Sequence, residues 1–507
     1  MRRFIAISLL TLCIAHFLNA RLPQPGSPLQ PPLKRGGCSE AVILNSQFSI
    51  QIRGQVVADG RPLQGVAVTD GYNIVHTDQS GHYSLTSPVG ARFVYVSTPA
   101  GYLPSVSQGT IPTFYQLIVE GQATYDFSLT RNPLNDTHHT LIVQADAQVT
   151  SVADLDQYEA MLTDIQATRQ SLAGRDVLGL DCGDIVGDSP WLFKDYVKRV
   201  ARLDMPIYRA IGNHDMDYNG RSHETSHHTF EDYFGPDHYS FNRGKVHYIV
   251  INDNFYIGRE YFYMGYCDEA TFRWLEQDLR DVPQGSLVVV AMHIPTRLTP
   301  QQQPFAYQYG PIADQMVNAA AFHHFLKHYR VHIISGHMHY NLNIEHNDSL
   351  YEHNTAAACG TWWRLRECLD GAPRGYAVYD FDGDQVRWYY KGSEHDRDYQ
   401  LTAYLPGADT DLPHEVVANV WNYDSKWRVE LLENGQVTAQ MQQFTGYDPQ
   451  ARIDCADREK VVYEWISPNP TTHLFRARPK NPDASLQVRA TDRFGRVYTT
   501  TPKHLEK

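Results

Sequence analysis

The sequence predicts a multi-domain protein, with a central α/β domain flanked by an N-terminal β-sandwich and a C-terminal, mostly β domain. Three observations predict it. The chain has 507 residues, 42% of them apolar and 20% charged, enough for about three domains at roughly 150 residues each and unlike a disordered or collagenous chain. Short alternating runs broken by turn signals fill residues 48–131, and apolar strands then alternate with helical patterns over 136–352. From 353 to 507 the pattern is mostly β again, with turns at Asp382-Gly383-Asp384, Asn434-Gly435 and Phe494-Gly495.

Residues 1–20 have the build of a secretory signal: Arg2 and Arg3, an apolar run from Phe4 to Ala15, and Leu18-Asn19-Ala20 at the cut. The run is shorter than the roughly 20 residues a spanning helix needs, and no later run reaches that length. The expectation is an exported protein, secreted or periplasmic, without a membrane span. Residues 21–47 begin with RLPQPGSPLQPPLKRGGC and read as a Pro/Gly-rich linker. Six cysteines remain beyond the signal, and an oxidising compartment leaves two readings open, buried free thiols or disulfides, with Cys359 and Cys368 the first pair to test.

Between 48 and 131, runs such as SIQIRGQVV, ARFVYVSTP and YDFSL are separated by Asp59-Gly60, Asp70-Gly71 and Gly81. This spacing of strands and turns suggests a small sandwich. The style changes near Asn132: TLIVQAD and DVLGLDC are buried apolar runs around a helical stretch over 152–171. SPWLFKDYVKRVARL reads as a helix opened by Ser189 and Pro190, and MPIYRAI as a third strand. KVHYIVIND, ATFRWLEQDL, SLVVVAM, MVNAAAFHHFLKHY and VHIIS continue the alternation, which implies an α/β layer architecture with functional loops at strand ends.

Those strand ends carry the chemistry. They finish in Asp146, Asp184, Asn213-His214-Asp215, His293, and His337 with His339. A two-metal phosphoryl-transfer site needs hard oxygen and imidazole ligands, one carboxylate able to bridge, and two cations roughly 3.5–4 Å apart. Loops at the ends of parallel strands converge on one crevice, so ligands distant in sequence can meet there.

The order Asp, Gly-Asp, Gly-Asn-His-Asp, His, Gly-His-x-His resembles that of the calcineurin-like metallophosphoesterases. RGQVVADGRPLQGVAVTDGYNIVHTDQSGHY, CGTWW, HEVVANVWNYDSKW and ATDRFGRVYT resemble the two β extensions of a bacterial subfamily. The resemblance implies an αββα layered central domain and two divalent metal ions drawn from Mn, Fe, Zn or Mg. It implies that Asp146 and His339 hold the first metal, that Asn213, His293 and His337 hold the second, and that Asp184 bridges them. His214 would stabilise the transition state or protonate the leaving oxygen, with Asp215 orienting it, and solvent acidified by the two cations would be the nucleophile.

One position departs from the family pattern. Gln148 stands where most of the superfamily has His, and an amide carbonyl is a harder, weaker ligand that favours Mn or Mg at the first metal, directly or through water. Arg364 and Arg366 are candidates to reach a substrate phosphate, while the neighbouring Trp362 and Trp363 read as core. Asp181 reads as a scaffold carboxylate, Asp188 as a helix cap, and His138 and His139 as linker residues. His223, His227 and His228 suit a solvated loop, and His323, His324 and His328 surface or packing roles.

With 44 Lys and Arg against 57 Asp and Glu, the net charge of −13 disfavours nucleic acid as partner. The expected partner is a phosphate-ester substrate. A competing reading keeps the scaffold but makes the protein a metal-bearing binder of glycans, lipid head groups or cell surfaces, motivated by Gln148 and the flanking β domains.

Overall fold

The computed structural model describes residues 49–259, 261–299, 312–461, 463–481 and 483–506. The signal-like segment, the linker and Cys38 lie outside the described residues. Among those described, no helix is long and apolar enough to cross a membrane.

Residues 49–131 form two main sheets around one core. Strand Ser49–Ala58 pairs antiparallel with His82–Pro88 and parallel with Phe127–Arg131. Its alternate residues Ile52 and Val56 point inward beside Tyr83, Leu85 and Phe127, as a period of two requires. The second sheet contains Phe93–Val96, which is buried on both faces because its outer side meets the central domain. At that seam the Tyr95 hydroxyl donates to the His238 carbonyl at 2.8 Å, and Trp274 Nε1 donates to Thr69 Oγ1 at 3.1 Å.

Two sheets build the central region. The first runs Ile207–Arg209, Asp176–Asp181, His138–Gln144, Gly375–Asp382, Gln385–Gly392. Its first three strands are parallel and its last two are added as an antiparallel hairpin. That hairpin belongs by sequence to the C-terminal region, yet it completes a central sheet. His138 and His139 are strand residues rather than linker. His138 pairs with Asp382, and His139 is buried with Nδ1 on the Asp136 carbonyl at 2.7 Å and its ring stacked on Phe381.

The second sheet runs Tyr239–Arg243, Val246–Val250, Leu287–Ala291, Arg330–Ser335, Leu350–Asn354, Leu342–Asn347. Tyr248, Val250, Leu287 and Val289 share a core with the first sheet. The opposite face, with Ile249, Val288, Val290 and Ile333, packs on Trp274, Leu275, Phe322 and Leu326. These come from helices Glu269–Asp278 and Ala319–Leu326. Strands covered on both sides must be apolar throughout, which is why VHYIV and LVVVA show no alternation.

Helix Val152–Ser171 starts where Ser151 Oγ accepts from the Asp154 amide, and it buries Leu155, Tyr158, Met161, Leu162 and Ile165. Ser189 makes no side-chain cap. Pro190 instead opens a short 3₁₀ turn, Pro190–Leu192, that leads into helix Phe193–Val200. The helix read over 316–329 is shorter, Ala319–Leu326.

Beyond Gly392 two more four-stranded sheets enclose a core of Leu401, Val416, Val429, Leu431, Phe475 and Val488. Cys182, Cys267, Cys359, Cys368 and Cys455 are buried free thiols. Cys359 Sγ faces His339 Nδ1 at 3.9 Å and Cys368 Sγ donates to the Ala357 carbonyl at 3.6 Å, so this pair forms no disulfide.

Candidate metal centre

The parallel strands of both sheets end on one crevice. Asp146, Gln148, Asp184, Asn213, His293 and His339 are buried there, and His337 is partly buried. The turns that carry them are tight. Asp146, Gln148, Asp184, Asp188, His337 and His339 all adopt left-handed backbone conformations, with φ between 39° and 72°. Non-glycine residues tolerate that region at about 1–3 kcal/mol each, and such residues gather where a site is pre-organised. Two glycines allow the loops to touch: a Cβ on Gly212 would overlap Asp184, and one on Gly336 would meet Asp146 Oδ2 at 2.5 Å.

His293 Nε2 is the hub of the cluster. It lies 3.0 Å from Asn213 Oδ1, 3.3 Å from Asp184 Oδ1 and 3.2 Å from His337 Nδ1. The other ring nitrogens are taken by carbonyls, His293 Nδ1 by Cys182 at 2.8 Å and His337 Nε2 by Ala313 at 3.0 Å. A carbonyl only accepts, so those nitrogens donate, and His293 Nε2 and His337 Nδ1 are the nitrogens turned inward, as metal-ligating imidazoles are oriented. Asp146 accepts the His337 amide at 3.0 Å, with His339 Nε2 3.6 Å away. Gln148 Nε2 donates to Asp184 Oδ2 at 3.4 Å, while its Oε1 is buried with no hydrogen-bond partner.

The electrostatics of the cluster follow from its depth. Burial, reinforced by the charge of Asp184 and opposed by His293, pushes the Asp146 carboxyl well above its usual range. Burial also opposes ionisation of Asp184, but His293 and His214 overcome it and hold that carboxyl below the usual range. His337 is pushed down to about 3 by burial and His293, and His339 to about 4, chiefly by burial. Against burial, Asp184 and then Asp146 raise the His293 imidazole to about 10, so the buried carboxylates draw positive charge into the cluster. Together with the orphaned Gln148 Oε1, the inward imidazoles and Asn213 Oδ1, this donor set fits divalent cations.

His214 stands beside the cluster. Its backbone amide donates to Asp184 Oδ1 at 2.8 Å and its Nδ1 meets Asp188 Oδ1 at 2.8 Å. Among the described residues no protein group bonds its Nε2. Burial would lower the imidazole, but Asp184 and Asp188 raise it to about 9. The orienting carboxylate is therefore Asp188, and two expectations are corrected. Asp188 does not cap the following helix, and Asp215 does not touch His214. The Asp215 carboxylate accepts the Gly212 and Val186 amides at 2.9 and 3.0 Å and so braces the loop, because adjacent residues of a 3₁₀ turn point in different directions.

Arg364 and Arg366 are both exposed. The Arg364 guanidinium lies over the Tyr463 ring at 5.6 Å, and Arg366 pairs with Glu394 at 3.4 Å, so neither joins the ligand cluster. Asp181 is the scaffold carboxylate expected, accepting from the Tyr196 hydroxyl at 2.6 Å and from Gln144 Nε2 at 3.0 Å. His227 is not in a solvated loop: it is largely buried, 3.0 Å from Asp237. His323 bonds Thr296 Oγ1 at 2.7 Å, a packing role.

Three family models match the chain: the N terminal of calcineurin-like phosphoesterase over residues 50–132, calcineurin-like phosphoesterase itself over 134–341, and the C terminal of calcineurin-like phosphoesterase over 352–498. The chain belongs to the calcineurin-like phosphoesterases. It carries both extensions of that family and is a metallophosphoesterase, a metal-dependent phosphoester hydrolase of a dimetal class.

No curated protein matches this phosphoesterase by sequence. Among solved structures it is similar to a dimetal phosphatase from Danio rerio, at 12% identity and a TM-score of 0.36 over 51% of this chain and 97% of that one. It is also similar to purple acid phosphatase PPD1 from yellow lupin, Lupinus luteus, at 12% identity and a TM-score of 0.37, covering 68% of this chain and 67% of that one. A 5′-nucleotidase from Candida albicans gives 12% identity and a TM-score of 0.30, covering 52% of this chain and 54% of that one.

The sequence reading missed two residues of the phosphoesterase site. Asp253 Oδ1 accepts the His293 and Ile294 amides at 3.2 Å, and its Oδ2 is buried without a partner. The signal was present, since KVHYIVIND also ends a strand in a carboxylate. Trp362 stacks on the His339 ring, 4.5 Å between centroids, and the two left-handed residues that aim it there leave no mark in composition.

Proposed function

We propose that this phosphoesterase hydrolyses a phosphomonoester or phosphodiester after export from the cytoplasm. Asp146, Gln148 and His339 would hold one cation, Asn213, His293 and His337 the other, with Asp184 shared between them. The observation that carries this reading is the convergence of Asp184 Oδ1, Asn213 Oδ1 and His337 Nδ1 within 3.0–3.3 Å of His293 Nε2. The cations, when bound, supply Lewis-acid activation of water and of the phosphoryl oxygens.

The chain's own residues do the rest. Asp188 fixes the His214 ring through Nδ1, which leaves Nε2 to deliver a proton to the departing oxygen. Asp253 and the Cys182 carbonyl fix the backbone and ring of His293. Export rests on Arg2, Arg3 and the apolar run that follows them.

The test is turnover of chromogenic aryl phosphomonoesters and diesters by the Mn-loaded full chain. Activity should require metal and fall by about a hundredfold or more in Asp184→Asn, since a shared ligand supports both cations. Turnover that survives that change would defeat the proposal. Export is tested by fractionating cells, where retention of the full-length chain in the cytoplasm counts against it.

A further inference from the structure

A string of aromatic rings leads outward from the metal centre. Trp362 and Trp363 are consecutive left-handed residues, φ 46° and 61°, and this backbone sends the two indoles apart. Trp363 turns inward, and its Nε1 donates to the Ala147 carbonyl at 2.9 Å, tying it to the loop of Asp146 and Gln148. Trp362 lies face to face with His339, at an interplanar angle of 26°. Trp465 meets Trp362 edge-on, 4.6 Å between centroids and 84° between planes. Tyr463 stacks on Trp465 at 5.6 Å, and the exposed Arg364 covers Tyr463.

This string is not core. Trp465 is 58% exposed and Tyr463 38%, the only large apolar side chains past residue 460 left this open apart from Val497 among the described residues. Leu365, Leu369, Cys455, Val461 and Ile466 back Trp362 from below, so the corner it makes with Trp465 is held rigidly. Two indoles at a right angle form a slot in which a flat ring lies on one face with its edge against the other, the geometry aromatic rings prefer. An exposed indole costs solubility unless it meets something, and this one sits one ring away from a metal-ligating imidazole.

We propose that Trp362, Tyr463 and Trp465, with Arg364 at their rim, form a stacking slot for a planar, nucleobase-like ring in the leaving group of the substrate. The proposal deepens the hydrolytic reading and rests on it only for the phosphoryl end. The C-terminal domain would thereby contribute specificity, while the central domain contributes the chemistry.

The experiment compares adenosine 5′-monophosphate with ribose 5-phosphate, which has the same phosphorylated sugar with a hydroxyl in place of the base, on the Mn-loaded full chain. The slot predicts a kcat/KM at least about tenfold higher for the nucleotide, the scale of one base stacked on an aromatic side chain. Trp465→Ala should erase that preference through KM, Trp465→Phe should restore most of it, and ribose 5-phosphate turnover should stay within about twofold. Equal kcat/KM values in the wild type, or a Trp465→Ala loss shared by both esters, overturn the slot.

If neither ester is hydrolysed the slot is judged by binding, and the hydrolytic reading fails with them only if the chromogenic aryl monoesters and diesters are also left intact with every metal. In a tryptophan-fluorescence titration the nucleotide must then bind about tenfold more tightly than ribose 5-phosphate and lose that advantage in Trp465→Ala. Equal affinities, or tighter binding of glucose 6-phosphate than of the nucleotide, overturn the planar-ring assignment.

Discussion

Replacing Asp188 by Asn tests the reassignment of the orienting carboxylate. The substitution keeps the size of the side chain and removes its charge, so the His214 ring loses a charge-assisted bond of 2.8 Å. Such bonds contribute about 1.5–3 kcal/mol. The two side chains are 33% and 39% exposed, which screens the pair and argues for the lower part of that range. A loss of about 1–2 kcal/mol in the transition state is roughly a 5- to 30-fold fall in kcat. The assay is steady-state turnover of an aryl and an alkyl phosphate ester by the Mn-loaded chain. The alkyl ester should suffer more, because an alkoxide needs a proton to depart and an aryloxide much less. Unchanged turnover, an equal fall for both esters, or a fall explained by lost metal would refute the reasoning.

Asp215→Asn should behave differently. It weakens a brace on two backbone amides, so thermal stability should drop by about 1–2 kcal/mol, with no change in the ratio of alkyl to aryl turnover; a changed ratio would return the orienting role to Asp215. Gln148→Ala should weaken one of two metal-binding phases about tenfold or more and Gln148→His should strengthen it, read by metal titration with elemental analysis; two unaltered phases would separate Gln148 Oε1 from the metals. His139, held neutral at about 4 by burial, makes the fold acid-sensitive. The unfolded imidazole takes up a proton below about 6.5 and the folded one does not until about 4, so stability is full above pH 6.5 and falls by up to about 3 kcal/mol on the way to 4. Melting curves across that range should show a shallower fall in His139→Gln, and an unchanged slope would contradict the assignment.

Much of the centre was legible in the sequence because strand ends announce themselves. An apolar run that stops at Asp146, Asp184 or His293 fixes both the element and the crevice, and parallel sheets bring such stops together whatever their separation along the chain. What the sequence could not show was direction. Asp215 adjoins His214 in the sequence and Asp188 lies far from it, yet the left-handed turn at Asp188 and the 3₁₀ turn at Asn213–Asp215 bring the distant carboxylate to the imidazole. The same holds for Trp362 and Trp363, whose opposite destinations are set by two φ angles. Arg364 and Arg366 were legible as cations, but the Tyr463 ring and Glu394 that they meet lie too far along the chain for a linear reading to pair them.

The hairpin Gly375–Gly392 has a consequence for the order of assembly. Strand His138–Gln144, which delivers Asp146, forms its antiparallel ladder with residues that leave the ribosome more than two hundred positions later. Until they arrive, one edge of the first sheet is bare and prone to pair with other chains. A chain cut at 352 would keep every residue of the metal centre and still lack that edge partner. Synthesis must therefore pass Gly392 before the first sheet, and with it the strand that leads to Asp146, has its full complement of neighbours.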